Sequence, residues 1–103
     1  MRDIIIYGCG GFGREVLQVI HALNAKEKYW NCLGFAVDPG VVHPEKVHEL
    51  PVAEHLDNLR RGDQLDVVIA IGSPAVRRRI ADKLEAASVS FPSLVHPKAW
   101  VGE

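Results

Sequence analysis

The stretch Asp3-Ile4-Ile5-Ile6-Tyr7-Gly8-Cys9-Gly10-Gly11-Phe12-Gly13 decides the fold. An unbroken apolar run that ends in glycine reads as a buried strand of a parallel sheet. Gly8, Gly10 and Gly13 then fit the spacing Gly-x-Gly-x-x-Gly, with Gly11 and Phe12 completing the loop. The first glycine of such a loop allows the tight turn. The second lets backbone approach a phosphate, and the third lets the following helix pack close to the strand. Downstream, Val16, Leu17, Ile20 and Leu23 fall on one face of a helix from Arg14 to about Asn24. Glu15, in its first turn, suits the helix dipole but would repel a phosphate placed too close.

Farther along, Asn31 to Asp38 reads as a second strand, with Leu33, Phe35 and Val37 alternating with smaller residues. Asp38-Pro39-Gly40 is a turn signal that stops it. Val41 to Glu49 reads as a surface loop, and Leu50-Pro51-Val52 as a brief contact with the sheet edge. Ala53 to Arg61 reads as a short helix ended by Gly62. Val67 to Ile71 is a third apolar run, stopped by Gly72-Ser73-Pro74. Ser73 has the chemistry of an N-cap, and Pro74 that of a first helical residue. The helix that follows runs to about Ala87, with Val76, Ile80, Leu84 and Ala87 on its apolar stripe and Arg78 spaced to pair with Asp82. Ser90 to Val95 reads as a final strand broken by His96-Pro97. This alternation predicts an α/β, Rossmann-like open parallel sheet of about four strands. The expected strand order is 2-1-3-4, with helices on both faces. The crevice between the first and third strands is then the switch point, where such sheets bind ligands.

The composition narrows the function classes. At 103 residues the chain is one domain, and a formal charge of −1 gives no general drive toward nucleic acid or a membrane surface. No apolar run is long enough to span a bilayer, and the N-terminus lacks a signal-peptide pattern, so the expected location is cytoplasmic. Cys9 and Cys32 are too few and too far apart for a metal framework and read as reduced residues of a turn and of the core. His43, His48 and His55 match no zinc spacing, His21 reads as a helix-surface residue and His96 as a turn residue. No Ser-His-Asp set and no acid/base carboxylate pair is visible, so no catalytic residue is assigned.

Four blocks together resemble the NeuD/PglD-like sugar O- and N-acyltransferases. They are Ile4 to Val16, Gly34 to Asp38, Val68 to Ser73 with Arg77 following, and Phe91 to Pro97. They stand in the family's order over nearly the whole chain. The resemblance implies that residues 1–97 form an N-terminal nucleotide-sugar-binding domain. It implies too that 98–103 lead into a left-handed β-helix domain absent from this chain. That second domain would bind acetyl-CoA, build a homotrimer and supply a histidine general base. This chain would then bind a UDP-sugar without turnover and stay monomeric. It carries Phe12 where the family's loop often has histidine, and Val37-Asp38 where an acidic pair is common.

The substrate-binding residues expected on these grounds are Gly8, Gly10, Gly11, Phe12, Gly13, Val37, Asp38, Gly72, Ser73 and Arg77. Loop N–H groups would hold a diphosphate. Asp38 either accepts hydrogen bonds from a base or ribose or simply caps its turn. Ser73 caps its helix and could touch ligand as well. Of the run Arg77-Arg78-Arg79, Arg77 is the best placed for a phosphate, one turn after the cap. Two other readings fit the same residues: an NAD(P)-binding domain of an oxidoreductase or redox sensor, and a module that keeps the fold without a ligand.

Overall fold

Alternation along β1 (Arg2–Tyr7) organises the molecule from its centre outward. Ile4 and Ile6 pack on one face of the sheet with Val16, Leu17 and Ile20 of α1 (Gly11–Lys26). Ile5 and Tyr7 pack on the other with Ile80 and Leu84 of α2 (Pro74–Glu85). All three isoleucines are fully buried, each worth roughly 1.5–3 kcal/mol of transfer free energy. The computed structural model describes residues 1–92. The further strands are β2 (Trp30–Ala36), β3 (Lys46–Val47), β4 (Leu50–Ala53) and β5 (Leu65–Ile69). They form one sheet in the order β3-β4-β2-β1-β5. β1 is parallel to both β2 and β5. The predicted neighbours β2, β1 and the third long strand therefore stand as the sequence implies. Ser90 bridges Asp66 in parallel on the far side of β5. The rest of the predicted last strand, together with Lys98 to Glu103, lies outside the described residues.

The sheet has five strands rather than about four, because the segment read as a loop to Glu49 contains β3, which forms a hairpin with the edge segment Leu50–Ala53. His48 and Glu49 connect its arms with φ of 48° and 69°. A two-residue hairpin turn of type I′ needs positive φ at both positions, usually supplied by Asn-Gly. Without that signal β3 and the turn are silent in the sequence, whereas the expected sheet-edge contact of Leu50-Pro51-Val52 is present as β4 beside β2. The helix expected over Ala53–Arg61 is a single 3-10 turn, Leu56–Asn58. Beyond it the Arg60 guanidinium bonds the carbonyls of Gly62 and Asp63 and those of Ala87 and Ser88 past α2. That side chain fixes an irregular path and supplies donors to carbonyls at the end of α2.

β2 carries the most consequential departure. Ile4 pairs with Cys32 but Ile5 pairs with Gly34, so one residue is extra. An extra residue flips the side-chain parity of everything after it. Leu33 consequently packs on the α2 face, while Phe35 and Val37 pack on the α1 face. The single alternating stripe expected of these three residues is broken at Gly34. Gly34 has φ of +148°, and a Cβ there would lie 2.5 Å from the carbonyl oxygen of Pro51. Only glycine accommodates both.

At the amino ends of the central strands, Arg2 grips the buried Asp66 through two bonds of 2.9 and 2.7 Å. Trp30 Nε1 donates to the same carboxylate at 3.0 Å. Asn24 pins the α1–β2 connection by accepting from the backbone of Tyr29 and Trp30 and donating to the Trp30 carbonyl. No helix among the described residues is long and apolar enough to cross a membrane.

The Arg2 bonds, with Trp30 assisting, hold Asp66 below the ordinary carboxylate range against the opposing effect of burial. The unfolded chain therefore takes up this proton first as pH falls. The contribution is complete above about pH 5 and is lost as pH drops through about 4 and lower. Thermal melts from pH 7 to 3 should show Asp66→Asn less stable at pH 7. The gap to wild type should close toward pH 3; a gap that stays constant contradicts the ion pair's role.

Candidate functional site

Three connections converge where β1, β2 and β5 end at their carboxyl sides. Gly8 to Phe12, Val37-Asp38 with Val41 and Val42, and Ala70-Ile71-Gly72 line one crevice of about 460 Å³, with Val76 and Ile80 of α2 behind it. Parallel sheets of this kind place their ligand sites at such a convergence.

The glycines divide into two kinds. Gly8 has φ of +115°, and a Cβ there would sit 2.7 Å from the Ala70 carbonyl oxygen. A Cβ on Gly13 would sit 2.2 Å from the carbonyl oxygen of Gly8. These two give the loop its shape and bring α1 against it. Gly10 and Gly11 meet nothing within 4 Å and leave open space in the crevice wall. α1 starts at Gly11, earlier than the expected Arg14, and its N-cap Gly10 offers no side-chain bond. The first-turn N–H groups, including those of Gly11 and Phe12, thus have no partner inside the helix. The early start moves Glu15 out of the first turn. Phe12 is half exposed and stands between the crevice and a second cavity of about 290 Å³.

Asp38 follows Val37 on the flipped parity of β2, and its side chain meets Tyr7 and α2. Tyr7 donates its hydroxyl to Asp38 Oδ1 at 2.5 Å, and Arg79 donates to Oδ2 at 3.0 Å. Lys83 Nζ lies 3.5 Å from Oδ1 and 3.4 Å from the Tyr7 oxygen. The Tyr7 bond, then Arg79 and Lys83, hold the carboxyl below its ordinary range although partial burial opposes them. Burial, followed by the Asp38 bond, pushes the Tyr7 phenol upward, so it stays a donor. Asp38 is therefore an ionised, oriented acceptor that favours a ligand bringing O–H or N–H donors. The same residue closes the turn expected of it, its carbonyl accepting from Val41 N at 3.2 Å.

Arg77 does not line this crevice. It borders the second cavity with Phe12 and Glu15, and also a groove of about 450 Å³ along β5 with Arg78, Phe91 and Pro92. Among the described residues the ion pairs of α2 run from Arg79 and Lys83 to Asp38, in place of the expected Arg78–Asp82 pair. Ser73 accepts from Val76 N at 3.4 Å as the N-cap of α2, with Pro74 at the first position. Gly72 lines the crevice, whereas Ser73 does not. Sequence reasoning missed Tyr7, Arg79 and Lys83. The available signal was spacing, since residues four apart on a helix share a face. Both cysteines are free, and burial pushes the Cys32 thiol up to about 11, which keeps it neutral. Among the described residues no group of three or more His, Cys, Asp or Glu side chains could hold a metal.

Comparison with known proteins agrees with this architecture. The family model of the PglD N-terminal domain matches residues 3–84. The acetyltransferase domain of PglB from Neisseria gonorrhoeae FA1090 in complex with acetyl coenzyme A is similar in structure. Its TM-score is 0.63 at 24% identity, over 93% of this chain and 44% of that one. The same domain described without that ligand gives a TM-score of 0.63 at 24% identity, over 94% of this chain and 45% of that one. This chain thus spans less than half the length of the solved structures it resembles. A comparison with proteins of curated function returns no match.

The division of the glycines is testable by chemical denaturation. Gly13→Ala should lose about 2 kcal/mol or more, because two backbone segments must part. Gly10→Ala should stay within about 0.5 kcal/mol of wild type. Equal losses at both positions would contradict the assignment.

Proposed function

The chain belongs to the PglD N-terminal domain family, and on that premise we propose that its crevice recognises a nucleotide sugar, with a UDP-linked sugar as the ligand. The observation that carries this reading is the convergence of open glycines, an uncapped helix start and one ionised carboxylate on a single crevice. The diphosphate lies over Gly10 and Gly11, where backbone N–H groups accept negative charge without a side chain in the way. The nucleoside lies toward Asp38, which accepts from ribose hydroxyls or a base N–H. Val37, Val41 and Val42 supply apolar contact on the same side.

In the whole protein this recognition serves an acetyl transfer in the cytoplasm, toward glycan biosynthesis. A sugar amine or hydroxyl attacks the thioester of acetyl-CoA, assisted by a general base on a further domain that also forms a homotrimer. Acetyl-CoA has no site on this chain in that scheme. The chain supplies substrate binding alone and turns nothing over.

Calorimetry with UDP and with NAD separates this reading from the nicotinamide-dinucleotide alternative. UDP should bind and NAD should not; binding of NAD without UDP overturns the proposal. Asp38→Asn should weaken UDP binding about tenfold, as expected for loss of a charged acceptor. Because the folded pKa of Asp38 is lowered, wild-type affinity for UDP-N-acetylglucosamine, whose fully esterified diphosphate has no group titrating near pH 6, should hold steady from pH 7 to about 5 and fall only below about pH 4. A decline centred near pH 6 would contradict the role given to Asp38.

A further inference from the structure

The carboxylate of Asp38 meets the crevice with both oxygens already engaged. Tyr7, only 3% exposed, donates to Oδ1 from the core. Lys83 Nζ stands 3.5 Å from the same oxygen. Lys83 and Tyr7 also line a separate cavity of about 180 Å³ with Glu54, His55 and Asp57, so Lys83 reaches Oδ1 from that side. Among the described residues Oδ2 has one side-chain partner, Arg79, at 3.0 Å. This guanidinium is the most exposed member of the cluster, at 59% against 48% for Lys83. It does not line the crevice, although Val76 and Ile80 of the same helix do.

A carboxylate offers about four lone-pair positions. Tyr7 and Lys83 crowd those on Oδ1, and Arg79 takes one of the two on Oδ2. A ribose presents two O–H donors side by side, and one open position does not serve a pair. A nucleoside that engages Asp38 with both hydroxyls must therefore displace a partner. Losing the Tyr7 bond would leave a buried O–H without an acceptor, which costs more than returning an exposed guanidinium to water. We infer that Arg79 is an intramolecular competitor for Asp38, holding the oxygen that a diol-bearing nucleoside must take and yielding to solvent when one binds. This rests on the proposed function, which places a nucleoside at Asp38. It gives Arg79 the opposite sign to a phosphate-binding arginine, since its presence lowers affinity. Exposed ion pairs are weak and screened by salt, so the competition is worth a factor of a few.

Amide-resonance titrations with uridine and with UDP test the competition in wild type and Arg79→Ala, and again with Asp38→Asn added to each. Uridine is neutral at pH 7, so removing a nearby positive charge costs it no phosphate attraction. Arg79→Ala should bind uridine about threefold more tightly than wild type, and the gain should vanish once Asp38→Asn is present. Raising salt from about 0.05 to about 0.5 M should tighten uridine binding to wild type about twofold and leave Arg79→Ala unchanged. Uridine affinity that is unchanged or weakened by Arg79→Ala, or a gain that persists with Asp38→Asn, contradicts the competition while the nucleotide reading stands. If UDP binds and uridine binds neither protein, the nucleoside makes no useful contact with Asp38 and the competition is again wrong. If UDP itself moves no resonance, the proposed function fails and this inference falls with it.

Discussion

One extra residue in β2 sets the chemistry of the crevice. The slip between the Ile4–Cys32 and Ile5–Gly34 pairs turns Phe35 and Val37 toward α1 and leaves Ala36 on the α2 side. Asp38 then reaches Tyr7, Arg79 and Lys83. Without the slip the same sequence would send Phe35 against α2 and Asp38 against α1, far from those donors. The slip in turn depends on Gly34, which lies against Pro51 of β4 at a distance no side chain tolerates. The edge hairpin and the carboxylate of the crevice are thus coupled through one glycine.

The cluster around Asp38 does two things at once. It ties the end of β2 to α2, and it keeps a carboxylate ionised at the mouth of a crevice whose rim is otherwise apolar. The ion pair with Arg79 is largely solvent-facing, with 59% of the Arg79 side chain exposed. It therefore contributes little to stability, about 1 kcal/mol at most. Its larger effect is orientation: Tyr7 and Lys83 hold one carboxylate oxygen and Arg79 the other. At the opposite end of the sheet, Asp66 is more deeply buried and bonded by Arg2 and Trp30. That carboxylate belongs to folding. The two aspartates show how similar partners give different roles according to burial and place.

Much of this was legible in the sequence. The run from Ile4 to Gly13 carried its strand, loop and helix packing, because a buried parallel strand and its turn are dictated locally. Ser73-Pro74 marked the start of α2 for the same reason. The order of β2, β1 and β5 is that of a doubly wound sheet with its switch point between the first and third long strands. Long-range geometry was not legible. The Gly34 slip is set by β4, whose edge contact is legible in Leu50-Pro51-Val52 but whose register is not, the turn before it being built from His48 and Glu49 instead of Asn-Gly. The Arg60 contacts that replace a helix over 53–61 join segments far apart in the chain. The choice among Arg77, Arg78 and Arg79 depended on how α2 is rotated over the sheet, which consecutive arginines do not reveal.

The central claim is that the crevice at the carboxyl ends of β1, β2 and β5 is the working surface of this chain. Amide resonance mapping during a UDP titration tests it directly. The largest shifts should fall on Gly10, Gly11, Phe12, Gly13, Asp38 and Gly72, with Arg2, Trp30 and Asp66 at the other end of the sheet unmoved. Shifts gathered around Arg2, Trp30 and Asp66, or none at the glycine loop at saturating UDP, would contradict it.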